Sequence, residues 1–204
     1  MNPEAKVPVS IYAEMTPNPA VMKFVANKRL IDLDSVEYKN IEEAATSPLA
    51  TRLFHYPFVK EVFISGNYLA ISKYNVIEWE EVTQELRALI RDWVADGKEV
   101  VNTAAAQAAE VTEAATFADD GTPEPDGEIE RRIREILEEY IRPAVAQDGG
   151  NIKLMGFEDK TVKVLLQGAC SGCPSSTLTL KNGIENLLKQ MLPTLVERVE
   201  AVNG

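Results

Sequence analysis

Residues Thr161 to Leu180 read Thr-Val-Lys-Val-Leu-Leu-Gln-Gly-Ala-Cys-Ser-Gly-Cys-Pro-Ser-Ser-Thr-Leu-Thr-Leu, and both cysteines of the chain, Cys170 and Cys173, fall within them. The opening residues alternate, with Val162, Val164 and Leu166 on one face, which predicts a half-buried strand. Beyond the cysteines, Leu180, Ile184, Leu187, Leu188 and Met191 recur at helical spacing, and Pro174 stands where a first helical turn tolerates proline. The two thiols are therefore expected on a strand-to-helix turn.

That position has chemical consequences. The first N–H groups of a helix lack internal partners and the macrodipole is positive there, so both sulfurs are expected to ionise more readily than a free thiol. Gly168 and Gly172 keep side-chain bulk away, which lets backbone amides approach a large anionic ligand. Dithiol–disulfide exchange is one chemistry for such a pair, although the βαβ run expected before a thioredoxin-like motif is missing. A closed zinc site needs four cysteine or histidine ligands, and the chain adds only His55, far away in sequence. An iron–sulfur cluster usually takes four thiolates; one chain supplies two, and a two-fold dimer would supply two plus two. Two cysteines buried at a helix start without any ligand are the remaining reading.

The stretch resembles a known family. Pro143-Ala-Val-Ala-Gln-Asp-Gly-Gly150, Gly168-Ala-Cys-Ser-Gly-Cys-Pro-Ser-Ser176 and Thr179-Leu-Lys-Asn-Gly-Ile184 are similar to the C-terminal domain of NifU-type proteins, the Nfu iron–sulfur scaffolds and carriers. The resemblance implies a 4Fe–4S cluster bridging two protomers through Cys170 and Cys173 of each, with Gly168, Ala169, Ser171, Gly172, Pro174 and Ser175 around the sulfurs. It also implies upstream cluster-assembly proteins, delivery to apo iron–sulfur clients, homodimerisation on cluster binding and no substrate turnover. Asn151 departs from the family, which often has an acidic residue after the Gly-Gly.

The whole chain sets further bounds. It has 204 residues, 45% hydrophobic and 26% charged, enough for two small domains of ordinary composition. A formal charge of −11 argues against nucleic acid, because phosphate binding needs a basic face. No apolar run approaches the roughly 18–20 residues of a membrane span. The first residues, Met1-Asn-Pro-Glu-Ala-Lys, carry an acid and lead straight into a strand-like stretch, unlike a secretory or Arg-rich transit peptide, so a cytoplasmic bacterial protein is expected, although a processed organelle form would look the same.

An α+β fold is expected, two small two-layer domains joined by an acidic flexible linker, over residues 1–97, 98–127 and 128–204. In the first, Val7–Glu14 and Met22–Ala26 read as strands separated by the turn Thr16-Pro-Asn-Pro19. Ser47-Pro48 starts a short helix, and Val59–Ser65 with Tyr68–Lys73 form a hairpin across Gly66-Asn67. Trp79, Val82, Leu86, Leu89, Ile90 and Trp93 mark a long helix that Gly97 stops. Thr16-Pro-Asn-Pro19, Lys23-Phe24, Ser47-Pro-Leu-Ala and Val62-Phe63 resemble the N-terminal Nfu domain, with Phe58-Val59 where relatives often carry Gly-Val. His55, Tyr56 and Phe58 read as packing rather than a partner patch, and Asp32, Asp34, Glu37, Glu42 and Glu43 as a solvated acidic loop.

Residues 98–127 hold seven acids against one base, while residues 128–204 hold eleven acids and ten bases. The connector reads as a self-repelling, partly helical tether. After it, Asp126 caps a helix with Ile129, Ile133, Ile136, Leu137 and Tyr140 on one stripe, which Arg142-Pro143 brings towards an end. Asp148-Gly-Gly150 is a turn, Ile152, Leu154 and Phe157 belong to a strand, and Glu158-Asp-Lys160 reverses the chain into the strand that feeds the cysteines. Leu195–Val202 reads as a last strand, giving the order α-β-β-α-β.

Overall fold

A computed structural model of the chain describes residues 8–103, 106, 126–170 and 174–203. They divide into two compact units, each a sheet with helices packed on it.

In the first unit, Ile11–Met15 (β1) pairs antiparallel with Val21–Ala26 (β2). Val59–Ser65 (β4) and Tyr68–Lys73 (β5) form the expected hairpin. Gly66, with φ +50°, sits at the first central position, where a two-residue hairpin turn calls for glycine. Between β2 and β4 in sequence comes a strand that the acidic composition hides, Ser35–Tyr38 (β3), paired antiparallel with β4. The expected acidic loop is thus interrupted: Val36 and Tyr38 are buried while Asp32 and Asp34 remain exposed. The sheet order is β1-β2-β5-β4-β3.

Among the described residues, two α-helices pack on this sheet. Pro48–Phe54 (α1) starts as the sequence predicts, the Ser47 hydroxyl accepting the Ala50 N–H at 3.1 Å. Trp79–Ala95 (α2) ends just before Gly97, whose φ is +70°. Phe24, Leu53, Ile64, Leu69, Leu86 and Ile90 lie at the centre of the core. Val100, Val101 and Ala106, from the start of the acidic segment, are buried in that same core. The carbonyl of Glu99 accepts from the Trp93 indole, that of Val100 from Ser47, and the Asn102 N–H donates to the Thr46 carbonyl. The rest of the tether, residues 104–105 and 107–125, lies outside the described residues.

The second unit follows the order α-β-β-α-β. Asp126–Ile136 (α3) runs through a π-helical turn, Leu137–Ile141, into Arg142–Gln147 (α4). The placing of Tyr140 on the apolar stripe is corrected here. A π turn takes in one extra residue, so the apolar stripe passes from Leu137 to Ile141 and leaves Tyr140 49% exposed. The same opening of the hydrogen-bond ladder accommodates Pro143, which has no N–H to give, and the helix runs on to Gln147 before it ends.

Gly150–Glu158 (β6) and Thr161–Gly168 (β7) are antiparallel, joined by Asp159 and Lys160, both at positive φ, as a type I′ turn requires. The strand period of two breaks between Leu154 and Phe157, and the pairing shifts between Leu154 and Gly156. Met155 is the residue that the bulge leaves exposed. Pro174–Met191 (α5) then crosses the sheet and returns the chain to Arg198–Asn203 (β8), parallel to β7. Val162, Val164 and Leu166 meet Ile184 and Leu188 in the core, whereas Met191, expected on the helix's apolar stripe, is 41% exposed.

Candidate metal centre

The cysteine turn is built from two glycine-bearing segments placed opposite each other. Gly168, the last residue of β7, pairs with Gly150, the first of β6. Gly168 leaves the strand at φ +68° and Gly149 enters the other at φ +80°, conformations that side-chain-bearing residues rarely adopt. The Ala169 N–H donates to the Gly149 carbonyl at 3.3 Å, so the Asp148-Gly-Gly150 loop continues the strand pairing past its end. Beyond this clamp Cys170 turns inward and joins the hydrophobic core. Its carbonyl accepts the hydroxyl of Thr177, in the first turns of α5, at 2.9 Å.

The electrostatics of Cys170 reverse the expectation from helix position. Only 7% of the residue is exposed, and burial, with the Asp148 carboxylate second, pushes the thiol up to about 12. Loss of solvation outweighs the pull of a helix N-terminus, which is worth about 0.3–1 kcal/mol. Cys170 is therefore a neutral thiol at physiological pH, not an activated one.

Of the other predicted site residues, Gly168 and Ala169 lie beside Cys170, and Ala169 is buried. Ser171, Gly172 and Cys173 lie outside the described residues, and Pro174 and Ser175 open α5. Sequence reading takes Asp148, Gly149 and Gly150 as a turn and as part of a family motif without placing them against Cys170, and passes over Thr177. The available signal is a Gly-Gly pair opening one strand and a glycine closing the next.

Elsewhere the blander expectations hold. His55 is exposed, its Nδ1 2.7 Å from the Thr51 carbonyl oxygen. Tyr56 packs against Phe58 with ring centroids 5.4 Å apart, lies under the Arg52 guanidinium and donates to Glu85 at 2.8 Å. Among the described residues, no three or more His, Cys, Asp or Glu side chains are grouped to hold a metal ion, and no helix is long and apolar enough to cross a membrane.

Comparison with known proteins finds two family models on this chain. Residues 11–97 match the scaffold protein Nfu/NifU N-terminal domain, and residues 133–200 match the NifU-like domain. The chain is 38% identical over 206 residues to a protein of Drosophila sechellia named NFU1 iron-sulfur cluster scaffold homolog, mitochondrial, covering 98% of this chain and 69% of that one. It is 37% identical over 193 residues to the human protein of the same name, covering 94% and 71%. NifU-like protein 4, mitochondrial, of Arabidopsis thaliana is 36% identical over 180 residues, covering 87% and 61%. All three names carry a mitochondrial location, which overturns the expectation of a cytoplasmic protein. One acid among the first six residues is a weak guide to compartment beside likeness along the whole chain.

Proposed function

This chain belongs to the Nfu family of NifU-like proteins, and from that premise we propose that it is an iron–sulfur cluster scaffold and carrier with a 4Fe–4S cluster as its cargo. The observation that carries the reading is the thiol count. Two cysteines at C-x-x-C spacing, in the sequence between the end of β7 and the start of α5, are half of a four-thiolate ligand set. A second copy of the chain supplies the other half. Cys170 and Cys173 of each protomer are the ligands, with Gly168, Ala169, Ser171, Gly172, Pro174 and Ser175 around them.

The donor chemistry suits this cargo. Thiolate is the ligand that iron–sulfur clusters prefer, and each sulfur must lose its proton as the metal binds. Burial and the Asp148 carboxylate both oppose a bare thiolate on Cys170, so its proton is held until the metal takes its place. A cluster shared between protomers is released when they part, which suits hand-over to apo-proteins by ligand exchange. The protein holds and transfers and turns over no substrate. Its partners are upstream assembly proteins, apo iron–sulfur clients and its own second copy, in the mitochondrial setting named for its relatives. The first unit serves recognition or assembly. Thiol–disulfide exchange is the poorer reading, since an attacking thiol works best with a pKa near ambient pH and Cys170 is pushed the opposite way.

Anaerobic reconstitution with ferrous iron and sulfide tests this. About four iron and four sulfide should accompany two chains in a species of dimeric mass, and Cys170→Ala should abolish uptake. A monomer carrying a complete cluster, or an unchanged cluster in Cys170→Ala, would overturn it.

A further inference from the structure

We infer that Gly150 is a positioning residue for Cys170: the side chain that Gly150 lacks is the space in which the cysteine sulfur rests. A Cβ added at Gly150 would stand 2.8 Å from Cys170 Sγ, 3.3 Å from its Cβ and 2.7 Å from the Gln167 carbonyl oxygen. All three are closer than ordinary van der Waals contact. No other glycine compared in this way is occupied like this. Gly66, Gly97, Gly127 and Gly183 meet nothing within 4 Å, and Gly156, on the same strand, meets only a Glu130 carboxylate oxygen at 3.9 Å.

Backbone conformation does not explain the glycine. Gly66, Gly97, Gly149 and Gly168 take positive φ and Gly150 does not, so its requirement is one of space. Gly149 makes the bend and Gly150 the seat. Gly150 is buried at the head of β6, held opposite Gly168 by strand pairing, while the Ala169 N–H is tied to Gly149 on the other side. The sulfur is thus placed by the paired strand ends, against the backbone of Gly150. Its value to the cargo rests on the ligand role proposed above. The seat itself does not.

The test is made on the full, metal-free chain with Gly150→Ala, and with Gly156→Ala as a control on the same strand. Alkylation of Cys170 by iodoacetamide is followed by mass spectrometry of the cysteine peptide, and far-UV circular dichroism reports the fold. A folded Gly150→Ala chain should label Cys170 at least tenfold faster than wild type, with Gly156→Ala unchanged. A smaller increase in a folded variant, or an equal increase in the control, overturns the seat. Should Gly150→Ala not fold, the wild-type chain decides: Cys170 labels at least tenfold more slowly in the native chain than in urea, and a smaller ratio overturns the proposal. Because no iron is present, a chain that protects Cys170 in this way yet takes up no cluster leaves the seat standing and removes only the proposed cargo.

Discussion

The hydroxyl of Ser47 donates to the carbonyl of Val100, 53 residues later, at 2.6 Å while its oxygen accepts the Ala50 N–H at 3.1 Å. One small side chain therefore starts α1 and fastens the returning chain to the core of the first unit, and it is fully buried. Removing it takes away a helix cap, about 1 kcal/mol, and leaves a buried carbonyl without its donor, about 1–3 kcal/mol. Ser47→Ala should destabilise this unit by about 2–4 kcal/mol. Both tryptophans, Trp79 and Trp93, lie in the unit, so the urea midpoint of intrinsic fluorescence reads the loss directly. An unchanged midpoint would mean that the Val100 segment detaches at no cost.

What could be read from the sequence, and what could not, follows from how local each determinant is. The alternation of Val162, Val164 and Leu166 and the spacing of Ile184 and Leu188 suffice to find the strand, the helix and the turn between them, because burial on one face leaves a periodic record. The Ser47-Pro48 start and the Gly66 turn are equally local. β3 is missed because only four residues carry it and acids surround them. Tyr140 is misplaced because a π turn changes the period without changing the composition. The ionisation of Cys170 is misjudged for a different reason: a helix start is visible in sequence, whereas the burial that overrides it comes from Gly150 and the core across the sheet. The cysteine spacing identifies the candidate site. The surroundings that set its reactivity are distant in sequence.

Alkaline titration should expose that surrounding. The Cys170 thiol is raised to about 12 in the fold, so it binds its proton more tightly than the thiol of an unfolded chain, near 8.5–9. A raised pKa contributes stability that is complete below the unfolded value and is lost as pH climbs towards the folded one. Between about pH 9 and pH 12 the second unit should weaken by at most about 1.4 kcal/mol per pH unit from this group. Cys170→Ala should remove that slope. Thiolate absorbance of a Cys173→Ala chain near 240 nm, together with its urea midpoint, checks the prediction, and titration of Cys170 near 9 in the folded chain would refute it.

At the acid end the corresponding group is Glu185. Its Oε1 accepts from Lys189, one turn further along α5, and its Oε2 accepts the Val199 N–H at 3.1 Å, tying the helix to the edge strand β8. The bond from Lys189 and then the bond from Val199 hold the carboxyl below its ordinary 4.5. A depressed pKa stabilises the fold above the unfolded value, and that contribution disappears as pH falls through the folded one. Wild type should therefore lose stability on acidification from about pH 5 downwards. Glu185→Gln keeps an oxygen for Val199 but has no charge to lose, so its profile should be flatter and the two curves should converge at low pH. The Val199 amide proton shift, followed between pH 6 and pH 2 by nuclear magnetic resonance, locates the folded titration, since this amide is hydrogen-bonded to the carboxylate itself. A midpoint at or above 4.5, or denaturation curves that stay parallel for the two chains, would show that this carboxylate does not hold β8 to the helix.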